Sequence, residues 1–361
     1  MNKLACALLL SGASLLCMPS ISAAQSLPEY YPADYTSITD AAENDLVIYS
    51  SMAPNNWAPV IEGFNQLYPG ISVQTVELGN ELYERYRAES ASGVRSADLI
   101  VTAGGDNWEQ FVQTGQLMPY KSVEADHLPE WAAETDGLYA VTSDPMLIVY
   151  NKFLVQEPPT SIKDIVALET EQPELQGRVT TYNVSGPYAM SLNYTFIRHA
   201  PENIEALRAI GPTAKLERSA GPMFEKVATG EYALGYFVSS TTVFTRMKDP
   251  ALASIVGWSY IQDGTPVIPR GVGIPANATS PNAAKLMLDF LVSQAGQTAL
   301  AVGGLTPVRE DVPNPDGTLH TYAKMAEGAG GEQNLAILGF ESMQDFDAFK
   351  QTLRDIYPNS N

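Results

Sequence analysis

Cysteine is close to absent from this chain of 361 residues: there are two, Cys6 and Cys17, both near the N-terminus. Basic side chains are also few, 21 Lys and Arg against 41 Asp and Glu, for a formal net charge of −20. So acidic a surface repels nucleic-acid phosphates and anionic lipid headgroups, which excludes recognition of polyanions by bulk charge. Histidine is scarcer still. His127, His199 and His320 are the whole set, and no two have the spacing of a helical zinc site. The chain has no Walker lysine motif and no G-x-G-x-x-G. Ser185 is not in a nucleophile elbow, because Asn183 stands where G-x-S-x-G needs its first glycine.

No apolar run is long enough to cross a bilayer, which takes about 20 residues. The nearest approach, Leu4 to Leu16, is interrupted at Ser11, Gly12 and Ser14, and Pro19 follows. Preceded by Lys3 and followed by Ser22-Ala23-Ala24, it has the layout of a secretory signal peptide over residues 1–24. Leu16, rather than a small residue, precedes Cys17, which argues against a lipoprotein. Cleavage after Ala24 would leave a mature chain with no thiol or disulfide chemistry, suited to the oxidising periplasm.

What is present is core material. Hydrophobic residues make up 45% and charged residues 17%, the balance of a folded protein and not of a disordered acidic chain. The length suits two or three domains. Leu46-Val47-Ile48-Tyr49 reads as a buried parallel strand. It leads to a helix, capped at Asn55 or Asn56, with Trp57, Val60, Ile61, Phe64, Leu67 and Tyr68 at helical spacing until Pro69-Gly70. Further strands are expected at 71–78, 98–101, 139–141, 147–150, 178–182 and 233–238. Helices are expected at 81–90, 108–113, 187–198, 204–210, 222–228 and from Pro281. Repeated strand–helix alternation implies α/β architecture with mostly parallel sheets covered on both faces.

In open α/β sheets ligands bind beyond the carboxyl ends of strands, where helix N-termini offer free amides. Four such junctions are rich in small hydroxyl, glycine or aromatic residues: Ser50-Ser51, Thr102-Ala103-Gly104-Gly105, Ser185-Gly186-Pro187-Tyr188, and Tyr236-Phe237-Val238-Ser239-Ser240-Thr241. The candidate ligand-binding residues are Ser51, Thr102, Gly104, Ser185, Gly186, Tyr188, Tyr236 and Ser239. Each junction taken singly is equally an ordinary cap and turn. Trp57, Trp108 and Trp258 are open between cleft edge and core.

The segments Asp45-Leu-Val-Ile-Tyr-Ser-Ser51, Ala97-Asp-Leu-Ile-Val101, Leu147-Ile-Val-Tyr-Asn-Lys152, Val227-Ala-Thr-Gly-Glu231, Pro281-Asn-Ala-Ala-Lys-Leu286 with Asp289-Phe-Leu291, and Gly303-Gly-Leu-Thr-Pro-Val-Arg309 span most of residues 45–310. In order and spacing they resemble periplasmic solute-binding proteins of ABC importers, in the ferric-iron-type branch. The resemblance implies a two-lobed type II periplasmic binding protein fold, each lobe a mostly parallel sheet flanked by helices, joined by two crossover strands. Lobe 1 would comprise 25–140 and 270–361, lobe 2 141–269, with hinge crossovers near 140–151 and 256–274. It implies a small-molecule solute, a membrane permease and ATPase as partners, no nucleic acid, no cofactor, a monomer, and no catalysis.

Iron-binding members carry a His or Tyr soon after the first strand, a Glu after the second and adjacent tyrosines late in lobe 2. Here those places read Ser51-Met52-Ala53, Gly79-Asn80-Glu81 and Tyr236-Phe237. Ferric iron needs several anionic oxygen ligands, so a small organic anion (a phosphonate, phosphate ester or carboxylate) is the expected solute and no metal site is expected. Arg270, on the return crossover, would be its bidentate partner or a hinge ion pair; Arg309 would pin the hinge or the C-terminal segment. Ferric iron is the alternative. A secreted hydrolase using Ser185 is a remote one, because His199 lies about 20 Å away along a helix. Docking to a receptor instead of a permease stays open.

Overall fold

The computed structural model describes residues 27–79, 81–103, 105–133, 135–340 and 346–360. The leader, both cysteines and Gly104 lie outside the described residues. The first stretch runs α1 (Thr36–Asp40), β1 (Asp45–Ser50), α2 (Pro54–Leu67), β2 (Ser72–Glu77), α3 (Leu82–Ala91), β3 (Leu99–Thr102) and α4 (Gly105–Gln113). β1 pairs in parallel with β2 on one side and β3 on the other, so it is central, and Leu46 and Ile48 are wholly buried. α2 begins at Pro54 without a side-chain cap. Asn56 is instead buried, and its Nδ2 donates to the Gly303 carbonyl at 2.8 Å.

The two short apolar runs expected at 139–141 and 147–150 are one strand, β4 (Leu138–Asn151). Every residue of it is buried; at about 3.4 Å per residue it is far longer than an ordinary strand. After it come α5 (Ile162–Glu171), β5 (Val179–Tyr182), α6 (Pro187–His199), α7 (Asn203–Ile210), β6 (Lys215–Glu217), α8 (Ala220–Ala228), β7 (Leu234–Ser239), α9 (Ser240–Arg246), α10 (Pro250–Ile255) and β8 (Val256–Tyr260). The chain closes with β9 (Thr265–Gly273), α11 (Pro281–Val292), α12 (Gln294–Val302), α13 (Tyr322–Gly328), β10 (Leu335–Ile337) and α14 (Phe346–Ile356).

Sheet order is β2-β1-β3-β9-β4-β7-β5-β6, with β8 also on β4 and β10 on β9. β4 serves two halves of this sheet. Leu138–Pro145 pair antiparallel with β9, whereas Met146–Asn151 pair with β7 and β8. The apolar cores divide at the same place. Tyr139, Val141, Val272 and Ile274 pack with the β1 half, and Met146, Leu147, Val267 and Ile268 with the β5–β7 half. Residues 142–145 and 269–271 bridge them.

The end of the C-terminal segment packs against the β5–β7 half. Tyr322 and Met325 of α13, Leu335 of β10, Leu353 and Ile356 of α14, and Tyr357 all join the core of the β5–β7 half. Their apolar spacing says that they are buried, and only the three-dimensional path says against what. Among the described residues, no helix is long and apolar enough to cross a membrane.

Candidate functional site

Alternation along β4 puts Thr142 and Asp144 on one face and Ser143 on the other. Ser143 Oγ donates to the carbonyls of Thr306 and Pro307 on its side. Arg270 of β9 lies directly opposite Thr142, and side chains opposed across an antiparallel pair share a face. The bridge between the two cores therefore presents Thr142, Asp144 and Arg270 together.

Arg270 is only 8% exposed. Its Nη1 donates to Thr142 Oγ1 at 2.9 Å and its Nε to Ser51 Oγ at 3.4 Å. Among the described residues it makes no ion pair, in contrast to Arg309, which pairs with Glu124 and Asp311 at 2.8 and 2.7 Å. Burial pulls the guanidinium pKa below its ordinary value, and the charges of Asp144 and Tyr188 partly offset that. A guanidinium has five donors and remains charged in proteins. This one is a desolvated cation with donors to spare.

Asp144 is held by the junction after β7. Ser239 Oγ donates to its Oδ2 at 2.8 Å, and Ser240 Oγ to its Oδ1 at 2.6 Å. The Thr241 amide and hydroxyl also donate to Oδ1, at 3.3 and 3.4 Å. A bulge shapes this junction: Leu147 faces Val238 but Val149 faces Gly235, so β7 has one residue more than β4. Phe237, within the bulge, has φ 58°, a left-handed conformation unusual for a bulky residue. Tyr188, on the first turn of α6, completes the neighbourhood. Its hydroxyl approaches Met146 Sδ at 3.7 Å and its ring meets Tyr182 edge-on at 5.4 Å. Tyr188 stays 37% exposed, yet desolvation by surrounding protein raises its phenol well above the ordinary value. Accessible surface amid dense protein marks a wall of a recess.

Of the sequence candidates, Ser51, Tyr188, Ser239 and Arg270 thus gather on the bridge. Thr102 is buried at the end of β3, where its carbonyl accepts from Trp108 Nε1. Ser185 is exposed and Gly186 caps α6; Ser185 lines a separate cavity with Lys350 and Arg354 of α14. Tyr236 is a correction. It is fully buried, its hydroxyl 3.0 Å from that of Tyr357, which donates to Asn193 Oδ1, so it is a core residue and no wall of the recess. The bulge beside it is what a linear reading misses. Trp57 and Trp108 are likewise core, while Trp258 is half-buried against Phe244.

Thr142, Asp144 and Tyr182 were not among the sequence candidates, and Ser240 stood in the fourth junction without being singled out. The available signal was Thr142-Ser143-Asp144-Pro145, a polar interruption between two apolar runs on the expected crossover. The three places compared with iron-binding proteins do not converge. Met52 is buried, Glu81 is exposed with its carboxylate on the Gly79 amide, and Tyr236 faces Tyr357. Among the described residues no cluster of three or more His, Cys, Asp and Glu is placed to hold a metal.

Residues 50–298 match the family model described as bacterial extracellular solute-binding protein. The chain is 27% identical over 298 residues to Iron uptake protein A1 of Synechocystis, covering 76% of this chain and 79% of that protein. The substrate binding protein of an ABC transporter from Agrobacterium tumefaciens has a similar fold, with TM-score 0.72 at 23% identity, over 87% of this chain and 96% of that one. A Trichodesmium protein solved in complex with iron and citrate ligands gives TM-score 0.65 at 21% identity, over 87% and 97%. The chain belongs to the bacterial extracellular solute-binding protein family. It has a two-lobed type II periplasmic binding fold.

Proposed function

We propose that the protein captures a small organic anion between its lobes and delivers it to the permease. The lobes divide near residue 141 on β4 and residue 270 on β9, with α13 and α14 on the second. The leader, residues 1–24, is removed on export to the periplasm, and the protein works there as a monomer without catalysis. The observation that carries the solute class is Arg270: a buried guanidinium with two hydroxyl partners and, among the described residues, no ion pair, the Asp144 carboxylate acting on it without bonding it, is the cation that a carboxylate, phosphonate or phosphate ester would complete. Ser51 and Thr142 orient its fork, and Tyr188 supplies a wall.

A melting-temperature screen against phosphonates, phosphosugars, carboxylates, polyamines and ferric citrate tests this. A ligand at a hundred times its dissociation constant adds about 2.7 kcal/mol of stability. The expected result is a shift by an organic anion that Arg270→Gln removes. A shift by a polyamine alone would overturn it. Ferric iron is the second reading, favoured by the similarity to Iron uptake protein A1 and by Tyr188 near Arg270 with Tyr182 packed edge-on against it. A shift that requires iron together with the anion would select it.

A further inference from the structure

A second recess lies at the other end of the first lobe. α2 starts beside Ser51 and its 14 residues carry the chain about 20 Å away. There Leu67 and Tyr68 meet the N-terminal strap, Leu27–Tyr31, around a cavity of about 370 Å³, a size that suits a small molecule. Its walls are aromatic: Tyr30, Tyr31, Tyr68, Phe290 and His127 all line it. Tyr30 is 50% exposed, stacked obliquely on His127 with ring centres 4.7 Å apart.

Its floor is charged and built. Glu124 is buried and accepts hydrogen bonds from Tyr30 and Tyr31 at 2.8 Å and from Arg309 Nη1 at 2.8 Å. Arg309, 3% exposed, also holds the half-exposed Asp311 through Nε and Nη2. Two carboxylates share one guanidinium, and among the other described residues lining the cavity only His127, whose charge acts on Asp311, can offset the excess. Aromatic rings attract cations through their quadrupoles, and this attraction grows with desolvation. We propose that this cavity is a second ligand site, for a small organic cation such as a quaternary ammonium, distinct from the anion site on the bridge.

The test is calorimetric and thermal-shift titration of the purified protein with choline, and with its neutral isostere 3,3-dimethylbutan-1-ol. Choline should bind saturably and the alcohol should not. Asp311→Asn, which removes a carboxylate at a half-exposed position, should weaken choline about fivefold, as loss of one close charge pair screened by water implies. Tyr30→Ala should weaken it independently by removing a wall. Arg270→Gln should leave it unchanged. The proposal is overturned if choline gives no saturable signal, if the alcohol binds equally, if Asp311→Asn and Tyr30→Ala both bind as the parent does, or if Arg270→Gln abolishes binding, which would place the cation on the bridge.

Discussion

Asp289, 1% exposed on α11, accepts from Ser122 at 2.6 Å, Tyr120 at 2.6 Å and Tyr35 at 2.9 Å. Burial outweighs these donors and pushes its carboxyl up to about 6. The folded state thus holds this proton more tightly than the unfolded chain, and between about pH 4 and 6 its contribution to stability falls as pH rises. His320, stacked on Phe244 with ring centres 3.4 Å apart, goes the other way. Burial, with Lys324 and Lys248 nearby, lowers it to about 4. Folding releases this proton, so from about pH 4 to 6.5 its contribution rises with pH. The two slopes oppose each other in one window. Melting curves should show Asp289→Asn gaining on the parent as pH rises from 4 to 6, and His320→Phe losing ground to it. The same trend in both would refute the assignment.

At the scale of the element, β9 needs Gly271 where α4 crosses it. A Cβ there would lie 2.6 Å from Trp108 Nε1, and Trp108 is fully buried with that nitrogen committed to the Thr102 carbonyl. Gly271→Ala should therefore cost about 1–3 kcal/mol in denaturant unfolding, as overpacking does. Pairing it with Trp108→Phe should recover part of the loss; strictly additive losses would mean that the contact is not the cause. β7 makes the complementary point about legibility. Its apolar run identified it as a strand, and Ser239 was found because hydroxyls after a strand are a junction signal. The extra residue at Phe237 has no such signal. It depends on β4 as partner, so the turning of Tyr236 into the core could not be read from the run that contains it.

For the whole molecule, the two cores touch through a narrow bridge of β4 and β9, and that bridge carries Arg270. Hinged lobes of this kind close on ligand. X-ray scattering with the anion selected by the screen should show a smaller radius of gyration than without it, and Arg270→Gln should not compact under the same conditions. Compaction without ligand dependence would separate the hinge from the site.

The alternation of β1 to α4 and the apolar face of α2 were both legible in the sequence, because a period of two or 3.6 is set by the local geometry of the backbone. Arg270 was singled out for its place on the expected return crossover, and it lies on β9. That Thr142 and Asp144 share its face was decided only by the antiparallel register of β4 on β9. The packing of α13 and α14 into the core of β5 and β7, and the strap that closes the aromatic cavity, were likewise decided by pairings between residues far apart in the chain. Local periodicity says that a side chain is buried; its partners are set by which distant surfaces fit it.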